Sequence, residues 1–306
     1  MTSAKIIDGR EVAAKIRVEC RERVRRLADA FGITPGLAVI VIGDDPASAI
    51  YVRNKVRACA DVGIRSTRLP FRHDVDPALV TQAILDLNAD PAVHGILVQL
   101  PLPPHFAPAK VLRAISVDKD VDGFHLYNVG GLVVGDTVFP PCTPYGVLHL
   151  LDHEGISLEG KNVVVVGASN IVGKPMALML MQRDATVCIC HAKTRDLAQF
   201  TILADILVVA AGHRNLIRAE MVRTGAVVID VGINRLEDGK LVGDVDFEGV
   251  RAKASYITPV PGGVGPMTVT MLLVNTIASA ERIARGAGAV QRGGGRSSLP
   301  ATVVRE

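Results

Sequence analysis

Tryptophan is absent from this chain of 306 residues, and aromatic side chains make up only 4% of it. Charge of one sign is also lacking: 34 Lys and Arg against 31 Asp and Glu leave a formal net charge of +3. The cations are scattered rather than gathered beside aromatics, so nothing resembles a nucleic-acid-binding stripe. No apolar run approaches the ~20 residues of a membrane helix. Met1 to Arg10 lacks the basic start and apolar stretch of a secretory signal. A soluble, cytoplasmic protein with neither nucleic-acid nor membrane partner is expected. Cysteine is sparse too: Cys20, Cys59, Cys142, Cys188 and Cys190 are odd in number, dispersed and without a C-x-x-C pair. That fits free thiols in a reducing compartment and gives no reason to expect a metal site.

What the chain does have is glycine, 29 residues of it, together with Val/Ile-rich runs and a 49% hydrophobic content. Continuous apolar runs between turn residues read as parallel strands covered on both faces. The periodicity predicts a helix over 9–31, a strand over 37–42, a helix over 48–63, a strand over 65–71, a helix over 77–87 and a strand over 94–100. From 118 to 144 it fails, and Gly, Asp and Pro are frequent, as in a site-forming loop that ends in an interdomain link. Helices over 143–153 and 172–183 and strands over 162–166, 186–190, 206–210 and 226–231 make a second unit. The fold class is therefore α/β: two α/β domains, the second a small Rossmann-like dinucleotide-binding domain, with a cleft between them. Expected boundaries are 1–141 plus 267–284 for the first domain and 142–266 for the second. A disordered Gly/Ser-rich tail is expected over 285–306.

In the second unit, Val163-Val-Val-Val166 runs directly into Gly167-Ala-Ser-Asn-Ile-Val-Gly173 and then into an apolar helix. Gly167 permits a tight turn, small Ser169 allows backbone to approach a pyrophosphate, and Gly173 lets helix and strand close up. The spacing is a variant of the usual dinucleotide fingerprint, and an ordinary strand-turn-helix would share it. At the end of the next strand, Cys190-His-Ala-Lys-Thr-Arg195 offers no Asp or Glu to bind a ribose. Lys193 and Arg195 suit a 2′-phosphate instead, which favours NADP over NAD, although a solvated basic loop looks the same.

In the first unit, Tyr51-Val-Arg-Asn-Lys55 lies on a helix whose polar face is Arg53, Asn54, Arg57 and Asp61. Ala49, Val52, Val56, Cys59 and Ala60 form the expected core face, and Tyr51, Lys55, Ala58 and Val62 a third stripe. Lys55 thus stands off the solvent face, where loss of hydration favours proton exchange. A snorkelling lysine beside a packed tyrosine is the bland alternative. Three segments add context: Gln99 at the end of Gly95-Ile-Leu-Val-Gln-Leu-Pro101, the carboxylates of Asp120-Val-Asp122-Gly-Phe124, and the bare backbone of Pro261-Gly-Gly-Val-Gly-Pro-Met-Thr268.

Taken together, Gly43-Asp-Asp-Pro-Ala-Ser48, Tyr51-Val-x-x-Lys55, Val98-Gln-Leu-Pro-Leu-Pro103, Lys119-Asp-Val-Asp-Gly-Phe124, Pro141-Cys-Thr-Pro144, Gly167-x-Ser-x-x-Val-Gly173 and the Pro261 segment resemble the methylene-tetrahydrofolate dehydrogenase/cyclohydrolase family. The match runs from about Ile7 to about Ala284. The resemblance implies oxidation of 5,10-methylene-tetrahydrofolate with NADP, then hydrolysis of the methenyl product to 10-formyl-tetrahydrofolate. It implies Lys55 as acid/base, Gln99 holding Lys55, Tyr51 stacked on the substrate and Asp122 on the pterin edge. Val98, Leu100, Pro261, Gly262, Gly263, Val264 and Gly265 would complete the folate site. Gly167, Ala168, Ser169, Val172, Gly173, Ala192, Lys193, Thr194 and Ile233 would hold the dinucleotide. Many family members carry Arg where Ala168 stands and Ser where Ala192 stands, both contacting the 2′-phosphate, so NADP binding is expected to be weakened and NAD is the alternative cofactor. A homodimer is implied as well. The competing readings are a monofunctional dehydrogenase or cyclohydrolase, and a folate-binding paralogue without catalysis.

Overall fold

Buried runs of Val, Ile and Leu organise the computed structural model, which describes residues 3–292, into two parallel sheets. After β1 (Lys5–Ile6), the first unit carries α1 (Gly9–Phe31), β2 (Gly36–Ile42), α2 (Pro46–Val62), β3 (Arg65–Phe71), α3 (Pro77–Ala89) and β4 (Gly95–Val98). Every residue of β2 is buried, because it is the central strand in the order β3-β2-β4. Helices α4 (Pro108–Ala114), α5 (Leu126–Val134) and α6 (Cys142–His153) lead into the second unit. It holds β5 (Asn162–Val166), α7 (Gly173–Met181), β6 (Thr186–Cys190), α8 (Leu197–Thr201), β7 (Ile206–Val209) and β8 (Val227–Asp230). An antiparallel pair, β9 (Asn234–Arg235) and β10 (Leu241–Val242), precedes α9 (Phe247–Arg251), β11 (Tyr256–Ile257) and the long α10 (Val264–Arg292).

The larger sheet has the order β1-β11-β8-β7-β5-β6 and is parallel throughout. The chain leaves β5 towards β6 on one side and β7 on the other, so a crevice opens where their carboxyl ends part. The largest apolar cluster runs from α1 and α2 through α6 and α10 to one face of the larger sheet. Met267, Met271, Leu273 and Ile277 of α10 are wholly buried in it, so this helix fixes each unit against the other.

Several expectations are corrected. The segment 118–144 is not an aperiodic loop, because α5 occupies its middle. Exposed Leu126, Tyr127, Val133 and Val134 and the Gly130-Gly131 pair erase the amphipathic signal there, whereas buried Asn128 anchors the helix. The tail was expected to begin at 285, yet α10 continues to Arg292. Glycines weaken a helix but do not stop one already propagated by the turns before them. The remainder of that tail, 293–306, lies outside the described residues. On α2, Ala49 and Ala60 are exposed, and the buried stripe is Val52, Ala58, Cys59 and Val62, which α1 and α10 cover. Lys5–Ile6 pairs with β11, so the first strand joins the sheet of the second unit.

Candidate active site

Helix α2 supplies the first half of the site. Asp45 caps it by accepting from Ser48 N at 2.7 Å, with Pro46 in the first turn, and Gly63 ends it in the left-handed region at φ 84°. Tyr51 and Lys55, one turn apart, therefore look onto the carboxyl end of β4, where Gln99 follows the last paired residue. Lys55 Nζ donates to Gln99 Oε1 at 3.1 Å, and Gln99 Nε2 donates to the Leu100 carbonyl at 2.7 Å. The second bond fixes which way the amide points, so its oxygen is the atom presented to the ammonium.

Asp122 reaches the same cavity from the loop after the 3-10 turn at Val117–Lys119. Buried Asp120 shapes that loop, accepting from His125 N at 2.8 Å, Phe124 N at 3.3 Å and Asn128 Nδ2 at 2.7 Å. Burial pushes the Asp120 carboxyl up to about 6. Lys119 donates to the carbonyls of Leu87, Asn88 and Asp90 at 2.7 to 3.0 Å and pins the loop to α3. Asn275 of α10 donates to Val121 O at 2.9 Å and Pro140 O at 3.0 Å, tying the Asp122 loop to the segment that enters α6. The Cys142 thiol donates to Val121 O at 3.3 Å and lies against the Asp122 carboxylate. Burial raises the Asp122 carboxyl above its ordinary value, against the opposing pull of the Lys55 charge and the thiol.

A cavity of about 380 Å³ joins these groups. Tyr51, Lys55, Val98, Gln99, Leu100, Asp122, Val172, Ile233, Val264 and Gly265 line it, gathered from both units as expected. Pro261, Gly262 and Gly263 line an adjoining cavity of about 440 Å³ instead. Polar Asp45, Ser48, Thr143 and Thr268, with Pro101, Phe124, Ile171, Val231 and Val269, also line the first cavity and were not singled out as site residues from sequence. Thr143 and Thr268 share a hydrogen bond of 3.0 Å across it. Thr143 and Thr268 each sit inside a quoted motif, whereas Asn275 announces itself only as an amide within an apolar helix.

The remaining expected residues stand apart from both cavities, at the carboxyl ends of β5 and β6. Gly167 adopts φ +124°, and a Cβ there would come within 2.2 Å of Ala210 O, at the end of β7. A Cβ on Gly173 would come within 1.9 Å of Gly167 O, so the entry to α7 is pressed against the turn. Ser169 Oγ accepts from Val172 N at 3.1 Å and Gly173 N at 3.4 Å, while Ser169 and Asn170 stay exposed. This close-packed turn at a helix start, in the crevice of a parallel sheet, suits a pyrophosphate. Beyond β6, Thr194 Oγ1 accepts from His191 N at 2.9 Å, and Ala192, Lys193 and Arg195 are exposed. Among the described residues no group of His, Cys, Asp and Glu is arranged to hold a metal ion, and no helix is long and apolar enough to cross a membrane.

Known proteins resemble this chain in sequence and fold. The family model for the tetrahydrofolate dehydrogenase/cyclohydrolase catalytic domain matches residues 7–122, and that for the NAD(P)-binding domain of the same family matches 141–284. The Bifunctional protein FolD of Nitrosospira multiformis is 59% identical over 280 residues, which cover 92% of this chain and 97% of that protein. The crystal structure of the bifunctional FolD dehydrogenase/cyclohydrolase from Campylobacter jejuni superimposes with a TM-score of 0.90 at 52% identity, covering 92% of this chain and 99% of that one. The Trypanosoma brucei dehydrogenase-cyclohydrolase, solved with NADP and an inhibitor, gives a TM-score of 0.90 at 41% identity over the same shares of the two chains. With a family model matched to each half of the fold and a relative 59% identical over 92% of this chain, the chain belongs to the tetrahydrofolate dehydrogenase/cyclohydrolase family.

Proposed function

We propose that the protein oxidises 5,10-methylene-tetrahydrofolate to the 5,10-methenyl compound with NADP, then hydrolyses that product to 10-formyl-tetrahydrofolate in the same cleft. The observation that carries this reading is the Lys55–Gln99 hydrogen bond of 3.1 Å inside a cavity also lined by Tyr51 and Asp122. NADP, held at the turn between β5 and α7, would supply the acceptor for the hydride of the methylene bridge. That step asks the protein chiefly for positioning, because the neighbouring folate nitrogen stabilises the resulting amidinium-like cation. Tyr51 supplies a flat surface for the substrate, and the Asp122 carboxylate accepts from the donor edge of the pterin.

Hydrolysis needs a proton carrier. Water adds to the methenyl carbon and loses one proton, the hydroxyl so formed loses the second as it becomes the formyl carbonyl, the bond from that carbon to N5 breaks, and N5 takes up one proton while the other is released. Lys55 moves these protons, and Gln99 holds its amine in place without neutralising it. Gly167, Ala168, Ser169, Val172 and Gly173 hold the dinucleotide phosphates, Ala192, Lys193 and Thr194 flank the ribose, and Ile233 lies by the nicotinamide. In this division residues 1–141 with 267–284 serve the folate and 142–266 the dinucleotide, apart from the Lys5–Ile6 strand. The 10-formyl product is a one-carbon donor for purine biosynthesis. A cytoplasmic homodimer fits free thiols and the exposed Ile189, Phe200 and Leu203 on and beside the edge strand β6.

The test is Lys55→Met. Methenyl hydrolysis is expected to fall by at least about 10²-fold, while reduction of NADP by methylene-tetrahydrofolate stays measurable. Both are followed spectrophotometrically, and hydrolysis at the wild-type rate would remove Lys55 from the mechanism.

A further inference from the structure

The segment that carries Ile233 into the catalytic cavity is gripped by a buried carboxylate with no part in the steps above. Asp244, wholly buried two residues past β10, accepts through Oδ2 from Ala211 N at 2.7 Å and Gly212 N at 2.8 Å. Through Oδ1 it accepts from Asn234 Nδ2 at 2.8 Å. One side chain therefore joins the segment after β7 to the start of β9. Asn234 Nδ2 also donates to Gly243 O at 3.1 Å, and Gly232 N donates to Asp230 Oδ1 at 2.9 Å, so both chain neighbours of Ile233 are tied down. Gly232 lies directly on the Asp244 carboxyl, where a Cβ would collide with it. Ile233 is nonetheless 42% exposed and lines the cavity that holds Lys55 and Gln99. The other end of the clamp reaches the dinucleotide turn: a Cβ on Gly167 would meet Ala210 O and Ala211 N, so the peptide that donates to Asp244 is the one packed against that glycine.

We propose that Asp244 is a positioning residue for hydride transfer, holding the peptide behind the glycine turn and the segment of Ile233 in one register so that nicotinamide and folate meet at reacting distance. The inference rests on the function proposed above, in which the dinucleotide lies on that turn with its nicotinamide by Ile233. The hydride leaves the methylene carbon with both electrons of its C–H bond, which leaves the folate as the methenyl cation and the nicotinamide reduced. Such a transfer is steep in distance and alignment. Hydrolysis of the methenyl compound takes place at Lys55 with water and needs no contact with Ile233. A slack clamp therefore harms one activity and spares the other. Only a carboxylate meets the demand at this position, because both of its oxygens face N–H donors. An amide in its place would turn its own NH₂ towards either the Ala211 and Gly212 amides or that of Asn234.

The experiment compares the full-length wild type with Asp244→Asn and Asn234→Ala. Each is assayed with methylene-tetrahydrofolate at saturating NADP, with the substrate deuterated at the methylene carbon, and with methenyl-tetrahydrofolate in the absence of dinucleotide. In both variants kcat for dehydrogenation is expected to fall about tenfold, with little change in KM for the folate. Methenyl hydrolysis should stay near the wild-type rate, and the deuterium isotope effect on kcat should be no smaller than in the wild type, because the loss lies in the hydride step. Asn234→Ala leaves the buried carboxylate with both backbone donors and carries the test if Asp244→Asn melts early. Ile233→Ala should give the same split between activities and add little to Asn234→Ala. Dehydrogenation at the wild-type rate, a parallel loss of both activities, a suppressed isotope effect or additive losses with Ile233→Ala overturn the positioning role and leave the folate reading intact. A wild type that reduces NADP with no methylene-tetrahydrofolate turnover and hydrolyses no methenyl compound overturns both.

Discussion

Lys55 hydrogen-bonds a neutral amide oxygen, with the Asp122 carboxylate in the same cavity. Gln99 orients the amine through a neutral acceptor. The amide is itself held through Leu100 O at 2.7 Å, so the pair has one geometry. Replacing Gln99 with Leu keeps the volume and removes the acceptor. Steady-state hydrolysis of methenyl-tetrahydrofolate is expected to slow about tenfold or more. In the Lys55→Met background the same change should have little further effect, because both residues act on one proton carrier. Additive losses in that cycle would show that Gln99 works independently of Lys55. The sequence pointed to both residues, Lys55 by its helical stripe and Gln99 by its place at a strand end. Their bond could not be read there, since it joins side chains 44 positions apart.

At the scale of elements, the turn between β5 and α7 works by close approach of backbone. Gly173→Ala would drive a Cβ to within 1.9 Å of Gly167 O, and neither backbone atom can yield cheaply. The helix must shift off the turn, at about 1–3 kcal/mol by analogy with overpacked cores. A lower denaturant midpoint and a weaker NADP affinity, measured by fluorescence titration, are expected together. Unchanged NADP affinity would detach this turn from dinucleotide binding. Local grammar reported this element well, because a valine run, a glycine turn and an apolar helix are consecutive in the chain. It failed for α5, whose exposed Leu126, Val133 and Val134 leave no polar face to recognise. The returning segment of the first domain was expected from Met267, yet the helix that carries it, α10, begins at Val264, so part of the glycine loop is its first turn.

For the molecule as a whole, buried carboxylates set how stability responds to pH. Asp230 is buried at the end of β8, beside Asp244, and accepts from Gly232 N at 2.9 Å, Asp244 N at 3.0 Å and Val245 N at 3.0 Å. Burial outweighs these donors and pushes its carboxyl from an ordinary 3.8 up to about 7. With its folded pKa raised, the native state binds the extra proton between those two values. The stability this group contributes is therefore full below about 4 and is lost as pH rises through about 7. Asp120 acts in the same direction up to about 6. Urea midpoints are expected to fall between pH 5 and pH 8, and Asp230→Asn to flatten that fall whatever its effect at any one pH. A variant with the wild-type slope would show that Asp230 is ionised throughout.

Sequence alone determined the alternation of strand and helix, the two units and the glycine turn between β5 and α7, and it singled out Tyr51, Lys55, Gln99 and Asp122 as candidates, because each is written in periodicity or in a short motif. Tertiary structure decided what those residues meet: Lys55 reaching Gln99, Asn275 tying the Asp122 loop to the approach to α6, and Thr143 reaching Thr268. The physical reason is distance along the chain. Backbone preference and amphipathicity act within a few residues, whereas a cavity, a desolvated charge or its missing partner exists only after remote segments have packed.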